Sequence, residues 1–249
     1  MSQNQPIFNV PRSTLLALAA LAAVHGVRLL LDAETDVQFL LTLAFIPARY
    51  AGVASQLPGG EIAALTSFVT YMFVHGDLMH LLVNGVWMLA FGSAVALRVG
   101  DGRFVLFSLA CGIAGAVLHL ALHFGALAPV VGASAAISGQ MAAAVRFLFS
   151  AGGQRFAGDR RLMRLVPLAS VWETLRNPRI LVFIGVWFAI NALFGTGLLQ
   201  FQGAEGGIAW EAHLGGFTFG LVAFGLFDRR PGPDIRREAA VDDDPRWLN

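Results

Sequence analysis

The longest uncharged stretch of this chain covers residues 104–145, between Arg103 and Arg146. About 20 helical residues cross the hydrocarbon core of a membrane, so this stretch is too long for one span and must fold back on itself. The segment at 125–129, Gly-Ala-Leu-Ala-Pro, supplies the break, because proline cannot donate a hydrogen bond inside a helix and glycine loosens the backbone. The sequence therefore predicts two membrane spans joined by a short turn.

The composition extends this prediction to the whole chain. Its 249 residues are 56% hydrophobic and 13% charged, whereas soluble domains carry about 25% charged residues. A net charge of +1 gives no general attraction to nucleic acid. The single cysteine, Cys111, excludes intrachain disulfides and paired-cysteine metal sites. We therefore predict an all-α polytopic membrane protein that contacts the lipid bilayer and binds no nucleic acid.

Six apolar segments are predicted as membrane spans. They cover about residues 13–31, 79–97, 104–124, 133–149, 180–199 and 209–227. We predict one membrane domain over 12–228, with an N-terminal tail at 1–11 and a charged, disordered tail at 229–249. Residues 32–66 have apolar patches too short to span, which predicts a partly embedded loop with short interfacial helices. The first span has features of a signal peptide, but its apolar run continues to Leu31 and favours a retained anchor.

The arginine distribution predicts the orientation of these spans. Cytoplasmic loops of membrane proteins carry an excess of basic residues. With six spans, the arginines at 12, 98, 103, 229 and 230 and the basic loop at 151–179 all lie on one side. Both termini are therefore predicted to be cytoplasmic, and the second, fourth and sixth spans run from outside to inside. Arg28, near the far end of the first span, is expected to extend to the interface.

One serine and two histidines lie at similar depths in the even-numbered spans. Ser134, His213 and His80 come twelve, sixteen and eighteen residues before the arginines that follow their spans. At the helical rise per residue, these separations correspond to roughly 18, 24 and 27 Å above the inner interface. In a core about 30 Å thick, all three lie in the outer half of the membrane. They can therefore meet within the bilayer.

Two interpretations of Ser134 are open. Serine is a common helix N-cap, and Ser134 falls at the start of the fourth span. It is also placed to act as a nucleophile beside unpaired backbone N–H groups, which could receive an oxyanion. His213 shares a helix face with Gly216 and Gly220, and small residues at that spacing allow close helix packing. Ionisable groups inside membranes are costly, so a functional histidine is favoured over an incidental one on a packing face.

His80 and Asn84 lie at i and i+4 on the second span and share one face. Both can donate hydrogen bonds, as an oxyanion hole requires; the alternative is a polar contact between helices. His75 and Asp77 precede this span and are expected to be interfacial. Glu211 lies about 200° around the helix from His213, so it is not placed to orient that histidine. Because no carboxylate is placed to do so, the sequence predicts a Ser–His dyad and not a triad.

A second histidine pair, His119 and His123, also has i, i+4 spacing. Such a pair can bind a metal, but it normally needs a further cysteine, histidine or carboxylate ligand. None is near it in the sequence, so we expect these side chains to be buried or interfacial. No metal site is predicted.

The three motifs together resemble those of the bacterial rhomboid intramembrane serine proteases, over about residues 12–228. They are the pair His80-x-x-x-Asn84, the segment Gly132-Ala133-Ser134, and Ala212-His213-x-Gly215-Gly216-x-x-x-Gly220. The resemblance implies a six-helix bundle in a bacterial inner membrane, with an active site that opens to the outer side.

The resemblance also implies an endopeptidase that cleaves membrane proteins in or near their transmembrane segments, without metal, cofactor or nucleotide. Ser134 would be the nucleophile and His213 the general base. His80, Asn84 and the backbone at Ser134 would bind the oxyanion. Oligomeric state and natural substrates stay open at this level.

Two positions depart from the family pattern. The family usually has glycine directly after the nucleophile, where this chain has Ala135, the smallest change that adds a side chain. Many members have an aromatic residue one turn later that packs on the histidine, where this chain has Ser138. The alternative function is an inactive rhomboid-like protein that binds membrane clients. A transporter would need charged residues inside its spans, and here there are almost none.

Overall fold

A computed structural model describes residues 10–149, 160–196 and 209–228 of the chain. These residues form ten α-helices and no strands, which confirms the predicted all-α fold. The helices are α1 (Arg12–Arg28), α2 (Ala33–Leu43), α3 (Gly60–Thr70), α4 (Leu78–Val99), α5 (Asp101–Leu122), α6 (Ser134–Leu148), α7 (Arg160–Leu165), α8 (Val171–Thr174), α9 (Pro178–Gly195) and α10 (Trp210–Phe227). The tail at 229–249 and most of the tail at 1–11 lie outside the described residues.

Each of the six predicted spans coincides with one of these helices. By length and composition, α4, α5 and α9 can cross a membrane, with mean hydropathies of 1.6, 2.2 and 1.7. The other three predicted spans correspond to α1, α6 and α10. The protein is an apolar helical membrane bundle, and the count of six spans stays a prediction.

The second predicted span begins at Leu78 because Asp77 caps its helix. The Asp77 carboxylate accepts a hydrogen bond from the backbone N–H of His80 at 2.8 Å, which satisfies one of the unpaired groups of the first turn. A π-helical turn at Met88–Gly92 lies inside this helix. A Cβ on Gly92 would lie 2.8 Å from the Gln140 side-chain oxygen, so α4 and α6 pass very close there.

The uncharged stretch folds back at the predicted place. The helix α5 ends at Leu122, and Gly125 has a φ of +80°, which glycine adopts without strain. The chain then runs extended, and Val130 exchanges two backbone hydrogen bonds with Phe45, at 2.8 and 3.0 Å. The N–H of Gly132 donates to the Tyr71 carbonyl at 2.9 Å. These bonds hold the chain that leads into α6.

Small residues bring α5, α6 and α10 into close contact. A Cβ on Gly216 would overlap the backbone of Ala135, and one on Gly220 would overlap the backbone of Gly139. A Cβ on Gly115 would lie 2.7 Å from the Ala135 methyl group. Close approach of this kind replaces side-chain volume with backbone packing, as in other membrane helix pairs. It fixes α10 directly against the helix that carries Ser134.

Arginines expected at the interface are buried and paired. Arg28 is only 8% exposed and donates to both carboxylate oxygens of Asp36, at 2.6 and 2.9 Å. Asp36 on α2 therefore supplies a bidentate partner for Arg28, and the position of this side chain at the membrane interface stays a prediction. At the other end of the bundle, Arg98 pairs with Asp228 at 2.8 and 2.9 Å in the same way.

The region predicted as a loop at 32–66 contains α2, two short 3₁₀ turns at Pro47–Ala51 and Ala54–Gln56, and most of α3. The Phe45, Tyr50 and Phe68 rings pack together with centroids 5.0–5.6 Å apart. The Tyr50 hydroxyl donates to the Ala64 carbonyl at 2.5 Å. This region is therefore a folded part of the bundle. Through Phe45 it also holds the extended chain before Ser134.

Candidate active site

Ser134 is the first residue of α6 and points at a histidine on another helix. Ala133 occupies the cap position, and no side chain caps this helix end. The Ser134 Oγ lies 2.6 Å from Nε2 of His213 on α10. The capping interpretation of Ser134 therefore does not hold, and its hydroxyl has a potential general base as its partner.

Asn191 on α9 is the second partner of His213. Its Oδ1 lies 2.5 Å from the His213 Nδ1, and its Nδ2 donates to the Trp187 carbonyl at 2.8 Å. The second bond fixes the amide so that oxygen faces the ring, and an amide oxygen can only accept. Nδ1 must therefore carry the proton, which leaves the lone pair of Nε2 directed at Ser134.

Asn191 was not among the site residues predicted from the sequence. A dyad was predicted because no carboxylate was placed to orient the histidine, and an amide was not considered. The available signal was Asn191 itself, the one amide in a helix that is apolar or aromatic after Arg179. Polar groups in such positions are costly and are retained where they have a buried partner.

His80 and Asn84 lie beside the backbone just ahead of Ser134. A Cβ on Gly132 would lie 2.7 Å from the His80 Nε2 and 3.5 Å from the Asn84 Nδ2. Gly132 also has a φ of +110°, so a side chain there would strain the backbone as well as clash. Asn84 is buried and lines the same pocket as Ser134 and His213. Both nitrogens therefore lie beside the backbone of Gly132, two residues before Ser134.

His75, which was predicted to be interfacial, is 1% exposed within the bundle. Its position at the membrane interface stays a prediction. The His75 ring packs edge-on against His80, with centroids 5.0 Å apart, and its Nε2 lies 3.5 Å from the Ala133 N–H. Its carbonyl accepts a hydrogen bond from Arg28. His75 therefore connects the Arg28–Asp36 pair to the turn that presents the serine.

A pocket opens at Ser134 between α4 and α9. Asn84, Asn191 and His213 supply its polar lining, together with Ser138. The other lining residues are apolar or aromatic: Val83, Trp87, Ile137, Met141, Phe183, Val186, Trp187 and Ile190. Only 17% of the apolar stretch of α9 is buried, compared with 33% for α5. The outer face of α9 is therefore largely uncovered, and the lining of the pocket beside it suits an apolar segment.

The side chains at the two positions that depart from the rhomboid pattern are accommodated by their neighbours. The Ala135 methyl fits because residue 115 opposite it is glycine. At the position where many family members have an aromatic residue, Ser138 donates to the Ser134 carbonyl at 2.7 Å. The His213 ring is held by its contact with Asn191 and not by an aromatic side chain from α6.

The carboxylate of Glu211 contacts the pair His119 and His123. Glu211 on α10 places Oε1 3.0 Å from the His123 Nε2 and Oε2 3.8 Å from the His119 Nδ1. The expectation that no carboxylate joins this pair was wrong, because Glu211 is distant in sequence and adjacent only after α5 and α10 pack. The cluster is separate from the pocket at Ser134.

The comparisons with known proteins agree with this arrangement at the level of the family. The Rhomboid domain model matches residues 63–230, which are 168 of the 249 residues and include α4 to α10. The comparison with curated proteins found no match. The matched region contains Ser134, His213, His80 and Asn84. The chain therefore belongs to the rhomboid family of integral membrane proteins, which contains intramembrane proteases and their inactive relatives.

Proposed function

We propose that this chain is an intramembrane serine endopeptidase that cleaves membrane proteins in or near their transmembrane segments. The observation that carries the proposal is the line of contacts from Asn191 through His213 to Ser134, with separations of 2.5 and 2.6 Å. A nucleophile, a base in hydrogen-bond reach and a third group that orients the base are the requirements for nucleophilic catalysis. An inactive relative would have no need of this alignment.

The reaction follows from the positions of the protons. His213 Nε2 accepts the Ser134 hydroxyl proton while Oγ attacks the scissile carbonyl carbon. The protonated ring then gives this proton to the leaving amine, and the substrate stays attached to Ser134 as an ester. A water molecule, deprotonated by the same nitrogen, hydrolyses the ester and regenerates the serine.

The negative charge on the tetrahedral intermediate needs donors that are in place before the reaction. Asn84 lines the pocket together with Ser134, and its Nδ2 donates to the His80 carbonyl at 3.2 Å. The His80 Nε2 lies beside Gly132, two residues before Ser134, and we assign His80, Asn84 and the backbone N–H of Ser134 as the donors. Preorganised donors of this kind supply a large part of the rate enhancement in acyl transfer. The close fit around Gly132 keeps His80 and Asn84 near this space.

The substrate class follows from the location of the pocket. Its apolar lining suits a transmembrane segment that arrives from the lipid between α4 and α9. Ser134 lies roughly 12 Å below the outer interface, from the helical rise and a ~30 Å core. A helix hides its peptide bonds, and exposing them in lipid costs several kcal/mol per group. Segments with glycine, proline or serine near their outer end should therefore be preferred.

The activity is tested with purified full-length protein in detergent and a model transmembrane substrate, with EDTA present. Wild type should cleave, and Ser134→Ala and His213→Ala should each abolish cleavage. Ser93→Ala is the matched control and should remain active, because this serine on α4 does not line the pocket and its hydroxyl makes no hydrogen bond. Persistent cleavage by Ser134→Ala would refute the nucleophile. Binding of the segment by wild type without cleavage would favour an inactive relative.

The proposed orientation places both termini in the cytoplasm of a bacterium and the pocket toward the outer side of its inner membrane. Support comes from the arginine distribution, since basic residues favour the cytoplasmic side. Reporter fusions after Gly152 and Arg230 should report the cytoplasm, and a fusion after Gly203 the opposite side. A cytoplasmic signal at Gly203 would overturn both the six-span arrangement and the estimated depth of the serine.

A further inference from the structure

Three metal-ligand side chains meet where the C-terminal end of α5 lies against the N-terminal end of α10. His119 and His123 are one helical turn apart, with ring centroids 4.5 Å apart. Glu211 reaches both rings from α10, and the three available ligand atoms all lie within 4.8 Å of one another. None of these side chains takes part in the proposed reaction.

From this cluster we propose that the protein binds one divalent transition-metal ion of the Zn²⁺ type. Two imidazoles and one carboxylate form a common zinc ligand set, and an i, i+4 histidine pair presents both rings on one helix face. Zinc–ligand bonds of about 2.0–2.2 Å place tetrahedral ligand atoms about 3.3–3.6 Å apart. The His123 Nε2 lies 3.0 Å from Glu211 Oε1 and the His119 Nδ1 lies 3.8 Å from Oε2, so these two distances bracket that range.

The buried member of the cluster argues against a simple hydrogen-bonded contact. His119 is 7% exposed, and its Nδ1 is directed toward Glu211 but makes no hydrogen bond. The bond between His123 and Glu211 leaves this nitrogen unsatisfied, which is costly in a buried place. A metal ion at the centre of the cluster would give all three side chains a partner.

An ion can reach the cluster from solvent at its partly exposed side chain, His123. The His123 side chain is 39% exposed, so it can rotate toward the ion and leave a coordination position open to water. Glu211 is two residues before His213, about 200° around the helix. The ion would therefore join the outer ends of α5 and α10 without touching the serine, and its binding does not depend on proteolytic activity.

The experiment uses full-length protein in detergent, stripped with a chelator and dialysed. Co²⁺ is titrated in and followed by visible absorption, and Zn²⁺ affinity is then measured by competition. We expect one equivalent to bind, and His123→Ala and Glu211→Gln each to weaken binding at least tenfold. Thermal unfolding in chelator checks that both variants are folded, and His25→Ala, a histidine on α1, should bind as wild type.

Three outcomes would overturn the proposal. Unchanged affinity in both variants would exclude the cluster as the site. Loss of binding in His80→Ala, with affinity kept in the two variants of the cluster, would place the ion at the His75–His80 pair. Absence of saturable binding to folded wild type would show that the cluster is a contact between helices only.

Discussion

Replacing Asn191 tests whether the position of the histidine ring controls the rate. In Asn191→Leu, a side chain of similar size remains, but the oxygen 2.5 Å from the His213 Nδ1 is lost. The Nδ1–H then has no partner in a buried place, and the ring can turn or take the other tautomer. Neither change removes the nucleophile or the oxyanion donors, so a reduced but measurable rate should remain.

The expected fall in kcat follows from the free-energy cost of leaving the His213 Nδ1–H without a hydrogen-bond partner. Leaving a buried hydrogen-bond donor unsatisfied costs about 1–3 kcal/mol. If this cost falls on the transition state, where the ring becomes charged, the conversion of about 1.4 kcal/mol per tenfold gives a fall in kcat of roughly 5- to 150-fold. KM should change little, because the lost contact is with the histidine and not with the substrate.

The assay is steady-state cleavage of a model transmembrane substrate, with kcat and KM measured separately. Asn191→Asp is the matched variant: it keeps an acceptor facing the ring, and its kcat should exceed that of Asn191→Leu. Thermal unfolding of each variant controls for loss of fold. A kcat for Asn191→Leu within twofold of wild type would refute the orienting role. A change in KM alone would instead assign Asn191 to substrate contact in the pocket.

Three further perturbations test other parts of the structure. Asn84→Ala should lower kcat by roughly ten- to a thousand-fold, as for one preorganised oxyanion donor, and a change confined to KM would make it a binding residue. Gly220→Val should reduce thermal stability by about 1–3 kcal/mol or more through overpacking; Gly225→Val, where no atom lies within 4 Å of a Cβ, should not. Arg28 lowers the pKa of Asp36, so this pair stabilises the fold above the ordinary carboxyl pKa and loses its effect as the pH falls through the lowered value. Acid should therefore destabilise wild type more than Asp36→Asn, and equal acid sensitivity would contradict this role.

Much of the architecture could be predicted because membrane helices are recognisable in a sequence as long, apolar segments. The predicted spans at 79–97 and 104–124 correspond to Leu78–Val99 and Asp101–Leu122. The fold-back at 125–129 followed from glycine and proline, whose effect on the backbone is local. Ser134 and His213 were paired from their predicted depths, from the glycines on the helix face of His213 and from the resemblance to the rhomboid motifs.

Contacts between helices distant in sequence could not be predicted. Asn191 and Glu211 each meet their partners only after packing sets the rotation of one helix against another. Periodicity gives the residues that share a face, but not the neighbour that the face meets. The extended chain before α6 is likewise held by residues from two earlier segments, and neither segment carries a pattern that reveals this.

The central claim is that Ser134 is an activated nucleophile, and covalent labelling tests it most directly. A fluorophosphonate probe reacts with serines whose hydroxyl has a base in place. Full-length wild-type protein should be labelled, with the adduct mapped to Ser134 by mass spectrometry. Labelling should disappear in Ser134→Ala and fall sharply in folded His213→Ala. Unlabelled wild type, or labelling that persists in Ser134→Ala, would contradict the account and place this chain among the inactive relatives or its chemistry at another residue.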